Sequence, residues 1–123
     1  MSSVALVCVA AGAIVGTMAR FWIGRSFESL GQAQFPWATW IINAIGSFFI
    51  GIFAEQLLLH HFSVDIWDLL GEGFCGGLTT FSTMSVETVR LLKQSVRLGL
   101  TYIGTSLASG VVFCSIGLFL LRP

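Results

Sequence analysis

Between Gly71 and Glu87 the chain reads GEGFCGGLTTFSTMSVE, four glycines, five hydroxyl residues and two acids set among apolar positions. Hydroxyls such as those of Thr79, Thr80, Ser82 and Thr83 can donate to an anion, and peptide carbonyls released by a helix break can receive a cation. Two other stretches carry groups of the same kind. Asn43, Ser47 and Gly51 recur at four-residue spacing and so share one helix face, with Gly46 alongside. Tyr102, Ser106, Ser109 and Phe113 fall on one face at i, i+4, i+7 and i+11, adjoined by Thr105 and Gly110. Nearly all of these are uncharged hydrogen-bonding groups. Such donors suit an anion that must shed its water without being trapped by a full positive charge, because conduction needs binding strong enough for an ion to enter and weak enough for it to leave.

Each group also has a packing alternative. Asn43 can serve as a contact between helices worth about a kilocalorie per mole or less, and the hydroxyl stripe around Ser106 can be interhelical glue or a polar track. Phe81, Met84 and Thr88 lie at i, i+3 and i+7, a spacing that by default fills a core; directly after a break it equally suits a site. The edge of the Phe81 ring is electropositive and can meet a small hard anion. Carbonyls freed between Gly76 and Thr79 can coordinate a hard cation such as Na⁺. Arg20 either snorkels to the headgroups or turns inward, holding a pore mouth positive or pairing with an acid.

Catalysis fits poorly. No nucleophile stands at a convincing spacing from a base, and the glycine pairs lack the lysine of a phosphate-binding loop. Cys8, Cys75 and Cys114 are odd in number and without metal-ligand spacing, so they read as small packing residues. His60 and His61 are adjacent, about 100° apart on a helix, which suits interfacial anchoring better than a shared metal.

These groups must be held by elements that cross a membrane. The 123 residues are 55% hydrophobic and 10% charged, with a mean hydropathy of +0.89, too apolar for a soluble domain of this size. A crossing takes about 20 apolar residues, and four spans fit in one domain, over about 4–24, 36–59, 65–92 and 98–121. The first lacks a preceding basic region and reads as a retained helix, not a signal peptide. Gly12-x-x-x-Gly16, with Ala13 and Thr17 beside it, is a close-contact face. Pro36 and Trp37 mark the start of the second span. The third is longer than one crossing requires. Because lipid cannot satisfy free backbone groups, Gly76-Gly77 followed by Thr79-Thr80 reads as a break buried in protein or facing a wet cavity. Net charge is zero and no run of Lys or Arg points to a nucleic-acid partner.

The run from Gly73 to Thr83, continued to Glu87, resembles the signature of the Fluc (CrcB) fluoride channels. Gly12 to Arg20, Pro36 to Gly51, and Tyr102 with Ser106 extend the resemblance over all four spans. It implies an all-α membrane protein with four transmembrane helices per subunit and a broken third helix, paired as an antiparallel, dual-topology homodimer in the inner (plasma) membrane. The implied activity is passive fluoride export through two pores, with no enzymatic function. A structural sodium ion at the dimer centre would be held by carbonyls of Gly76 and Thr79. Phe81 and Met84 would line the pore, Asn43 and Ser106 would supply polar contacts, and Thr80, Ser82, Tyr102 and Ser109 complete the expected set. Arg20 matches a vestibule arginine, and Glu87, with Tyr102, a residue of the polar track.

Two departures from that pattern stand out. Met84 occupies a position where a second phenylalanine is usual, and in the fourth span Gly110 takes the place of the next small hydroxyl, with Ser109 beside it. The charge pattern also leans one way. Arg25, Arg90, Lys93 and Arg97 lie on the side of the first and third connections, against Arg122 on the terminal side. The positive-inside rule then favours termini outside, whereas dual topology calls for balance; a paralogue of opposed orientation is the alternative partner. Two other functions compete with the channel. A small multidrug-type exporter needs a carboxylate in the first span, and none stands between Met1 and Gly24. A non-transporting scaffold would tolerate conservative replacement of Asn43, Phe81 and Ser106.

Overall fold

A computed structural model describes residues 2–28, 34–120 and 122. Part of the first connection, expected over Arg25 to Phe35, and Leu121, the expected end of the fourth span, lie outside the described residues. The described chain is helical: α1 (Ser3–Glu28), α2 (Trp37–Leu58), α3 (Val64–Trp67), a π-helical stretch (Asp68–Cys75), α4 (Gly76–Leu78), α5 (Phe81–Gln94) and α6 (Val96–Leu120). Helices α1, α2 and α6 are long and apolar enough to cross a membrane. Large apolar side chains such as Val7, Ile14, Met18, Leu107 and Val111 face outward, as lipid-facing helices require. The sequence and fold together describe an all-α, multi-pass membrane protein.

Local chemistry sets the helix ends. Pro36 precedes α2, where its fixed φ and missing N–H cost nothing. His60, at φ 61°, takes the left-handed position that ends the α2 turn. Ser63 caps α3 by accepting from Ile66 N at 3.2 Å. A single extended residue, Ser95, joins α5 to α6.

Small residues let backbones touch. A Cβ on Gly12 would collide with Leu69 O, one on Gly16 with Phe74 O, and one on Gly77 with Ala13 O. The expected Gly12/Gly16 contact face therefore seats α1 directly on the backbone of the π-helical stretch and α4. The most extensive packing joins α2 to α6, again through glycines: a Cβ on Gly51 would meet Cys114 O, and one on Gly117 would meet Phe48 O. Cys75 is buried, and the free thiols Cys8 and Cys114 are partly so, in keeping with packing roles.

The third expected span is not one helix. The segment 64–78 stops, Thr79 (φ −81°, ψ 156°) and Thr80 (φ −149°, ψ 119°) run extended, and α5 starts afresh at Phe81. The break is narrower than expected. Gly76 is helical at φ −63°, ψ −38°, and Gly77 lies within α4, so the glycine pair serves packing against α1 and the two threonines make the interruption.

Candidate functional site

Asn43 accounts for the break. On α2, its Oδ1 accepts from Thr80 N at 2.9 Å and its Nδ2 donates to Thr80 O at 3.1 Å. One amide thus replaces both halves of a backbone hydrogen-bonding pair. Thr80 N would otherwise close a helical turn on Gly76 O, four residues back. On the far side, Thr83 N is taken at 3.2 Å by the Thr80 hydroxyl, the cap of α5, in place of Thr79 O. The carbonyls of Gly76 and Thr79 therefore lose their i+4 donors. Cys75 O keeps two partners, Thr79 N at 3.0 Å and Thr79 Oγ1 at 2.9 Å.

A third carbonyl is taken by a cation. Arg20 Nε donates to Gly77 O at 3.1 Å, and Thr17 Oγ1 reaches the same oxygen at 3.5 Å. Of the two orientations open to Arg20, the inward one is observed. Its guanidinium borders a cleft of about 270 Å³ shared with Arg25, Glu28, Thr39, Thr80 and Thr83. Behind it Thr39 Oγ1 donates to Glu87 Oε1 at 2.6 Å, tying α2 to α5.

A second cleft, of about 380 Å³, opens on the other side of the break. Asn43, Gly46 and Ser47 of α2, Thr79, Thr80, Phe81 and Met84, and Ser106 and Gly110 of α6 all line it. Thr80 borders both clefts, the first lined by Arg20, Arg25 and Glu28 and the second by hydroxyls, an aromatic ring and a thioether. Ser106 is buried, and its Oγ has no hydrogen-bond partner among the described residues. That leaves the Ser106 hydroxyl as an uncommitted donor at the wall of the cleft.

This architecture, a clamped break between two clefts, is carried by a chain whose residues 7–118 match the family described as "CrcB-like protein, Camphor Resistance (CrcB)". The chain belongs to the CrcB family. It is 46% identical over 89 residues to Fluoride-specific ion channel FluC 2 of Bacillus subtilis (strain 168), covering 72% of this chain and 68% of the relative. It is 38% identical to Fluoride-specific ion channel FluC 1 of Listeria monocytogenes serotype 4b (strain F2365), over 93% and 94% of the two chains. It is 34% identical to Fluoride-specific ion channel FluC of Phocaeicola vulgatus, over 98% of each.

In this CrcB chain, the expected pore residues separate into groups. Asn43, Thr80, Phe81, Met84 and Ser106 meet at the second cleft. Ser82, Tyr102 and Ser109 are not among its lining residues. Ser82 Oγ lies 3.3 Å from Thr80 Oγ1, in the hydroxyl cluster that caps α5. Ser109 Oγ turns back to Ser106 O at 3.0 Å. Tyr102 is fully buried in a core with Met84 and Leu91, its ring edge-on to Phe35, and its hydroxyl faces the Thr39 and Glu87 side chains. The spacing that put Phe81, Met84 and Thr88 on one face overstated their likeness. Met84 and Thr88 are buried, but Phe81 is 71% exposed, because the start of α5 turns its ring out of the subunit.

Sequence reasoning missed Thr39 and the pair formed by Glu55 and Arg122. Both extend a spacing already visible: Thr39, Asn43, Ser47, Gly51 and Glu55 continue one four-residue series along α2. Glu55 is 2% exposed and receives Arg122 Nε at 3.1 Å and Nη2 at 3.0 Å. This fork fastens Arg122, two residues past α6, to the far end of α2.

Proposed function

We propose that this chain is a fluoride-selective passive channel that lets fluoride leave the cytoplasm across the plasma membrane. The observation that carries the reading is the second cleft, where the unpartnered Ser106 hydroxyl and the Phe81 ring converge beside the break. Uncharged donors and a ring edge favour a small hard anion over a cation, and the Arg20 vestibule raises local anion concentration. The curated relatives bear the name fluoride-specific ion channel.

The functional unit in this reading is an antiparallel dimer of four-span subunits with two pores. The segment 64–78 and α5 together make the third of the four crossings, and the break lies near its middle. Two features favour a second copy against this face. Phe81 is a large ring left exposed, and Gly76 has open space around its Cβ position beside a carbonyl that lipid cannot satisfy.

Among the described residues no group of three His, Cys, Asp or Glu side chains could hold a metal. The carbonyls of Gly76 and Thr79 do fit sodium, as neutral hard oxygens without intrahelical donors. A bound Na⁺ would give those carbonyl dipoles a positive charge to coordinate in place of the N–H donors they lack. The assembly in this reading is the self-pairing homodimer; the excess of Arg25, Arg90, Lys93 and Arg97 over Arg122 leans toward one orientation, with a paralogue as the alternative partner.

Expression in a bacterium stripped of its own fluoride export tests the reading in cells. Restored growth on fluoride medium supports it, and failure to restore growth with the protein present in the membrane overturns it.

A further inference from the structure

The hydroxyls around the second cleft are nearly all committed. Thr79 Oγ1 bonds Cys75 O, Thr80 Oγ1 caps α5, and the Asn43 amide gives its oxygen and one of its two N–H groups to Thr80. On α6 the wall presents Ser106 and then, one turn on, Gly110. Ser109, the hydroxyl next to that gap, is folded back on Ser106 O. The α6 wall is therefore without a donor at its second turn.

Across the cleft stands Ser47. Its Oγ lies 3.5 Å from where a Cβ on Gly110 would be, the nearest atom to that position. Four residues after Asn43 on the same face of α2, it borders the cleft together with Ser106 and Gly110. Ser47 thus points its hydroxyl into the space that a side chain at position 110 would fill.

We propose that Ser47 is an anion-handling hydroxyl of the second cleft, so that fluoride passes between Ser106 of α6 and Ser47 of α2. This rests on the fluoride-channel reading and adds a residue to it. The 3.5 Å separation is ordinary van der Waals contact for a Cβ, so a serine side chain fits at position 110 once the Ser47 hydroxyl is gone.

The test compares wild-type protein, Ser47→Ala and the double variant Ser47→Ala/Gly110→Ser in liposomes, each reconstituted from a monodisperse preparation and followed with a fluoride electrode. Loss of one charge-assisted hydrogen bond slows Ser47→Ala efflux by about ten-fold, and the double variant recovers most of the rate. A general packing defect at Ser47 would not be repaired from the opposite helix. Ser47→Ala efflux at the wild-type rate, or equal slowing of both variants, overturns the proposal while leaving the channel reading intact. Absence of fluoride efflux from the wild-type protein overturns that reading and the proposal with it.

Discussion

Asn43 holds Thr80 by its backbone N–H and C=O at once, at 2.9 and 3.1 Å. A side chain on α2 thereby creates the interruption between α4 and α5, and the interruption exposes the carbonyls of Gly76 and Thr79. This architecture takes the amide oxygen and one N–H of Asn43, and the second N–H stays uncommitted among the described residues, beside the second cleft.

Replacing Asn43 by alanine therefore damages the fold and the pathway together. Each Thr80 backbone group left without a partner costs about 1–3 kcal/mol. Thermal unfolding in detergent should show Asn43→Ala well below wild type, with fluoride efflux lost. An unchanged Tm would mean that the clamp does not hold the break.

The glycines that seat α1 are a second point of failure. A Cβ on Gly16 meets Phe74 O and Leu78 N, backbone atoms that cannot step aside, and overpacking costs about 1–3 kcal/mol. Gly104 has open space around its Cβ position. Gly16→Ala is expected to lower Tm and Gly104→Ala to hold or raise it, read by the same melting assay.

Glu55 and Arg122 form a fork at the end of α6. The Glu55 carboxylate raises the Arg122 pKa above its ordinary value. A folded-state value above the unfolded one gives stability that is complete below the ordinary arginine range and lost only as pH rises through the raised value. From the arginine side, the pair is thus constant across the working range. Arg122→Ala leaves a buried carboxylate unpaired and should destabilise more than the double variant Arg122→Ala/Glu55→Gln. Equal melting of the two variants would contradict a paired Glu55.

Met84 is buried yet borders the second cleft. Its exchange for phenylalanine is a hydrophobic swap of similar size, costing about 1.5 kcal/mol or less. A ring edge in the cleft adds about 0.5–1.5 kcal/mol of interaction, or about a two- to ten-fold change in fluoride efflux. Efflux and selectivity identical to wild type would remove Met84 from the ion path.

Sodium bound at the Gly76 and Thr79 carbonyls would stabilise the assembled protein by about 2.7 kcal/mol at a hundred-fold excess over Kd. Exchanging Na⁺ for a large organic cation should lower Tm and return it on readdition. A Tm indifferent to sodium would count against the site.

The apolar spans, the Gly12/Gly16 seat and an interruption near Thr79-Thr80 were legible because each follows from what a bilayer forbids. The extent of the break was not, since it depends on which donor Thr80 N finds, and that donor sits on another helix. The outward turn of Phe81 and the buried Tyr102 were hidden for a related reason. Spacing places a side chain on a face but does not say which face the neighbours cover. The π-helical stretch Asp68–Cys75 had no signature that periodicity could read. Thr39 and Glu55 were within reach, two further members of the series that already contained Asn43 and Ser47.

Fluoride and chloride efflux, measured side by side from liposomes holding the purified wild-type protein, test the account most directly. Rapid fluoride loss with chloride retained is the predicted result. Equal loss of both ions, or of neither, would contradict it.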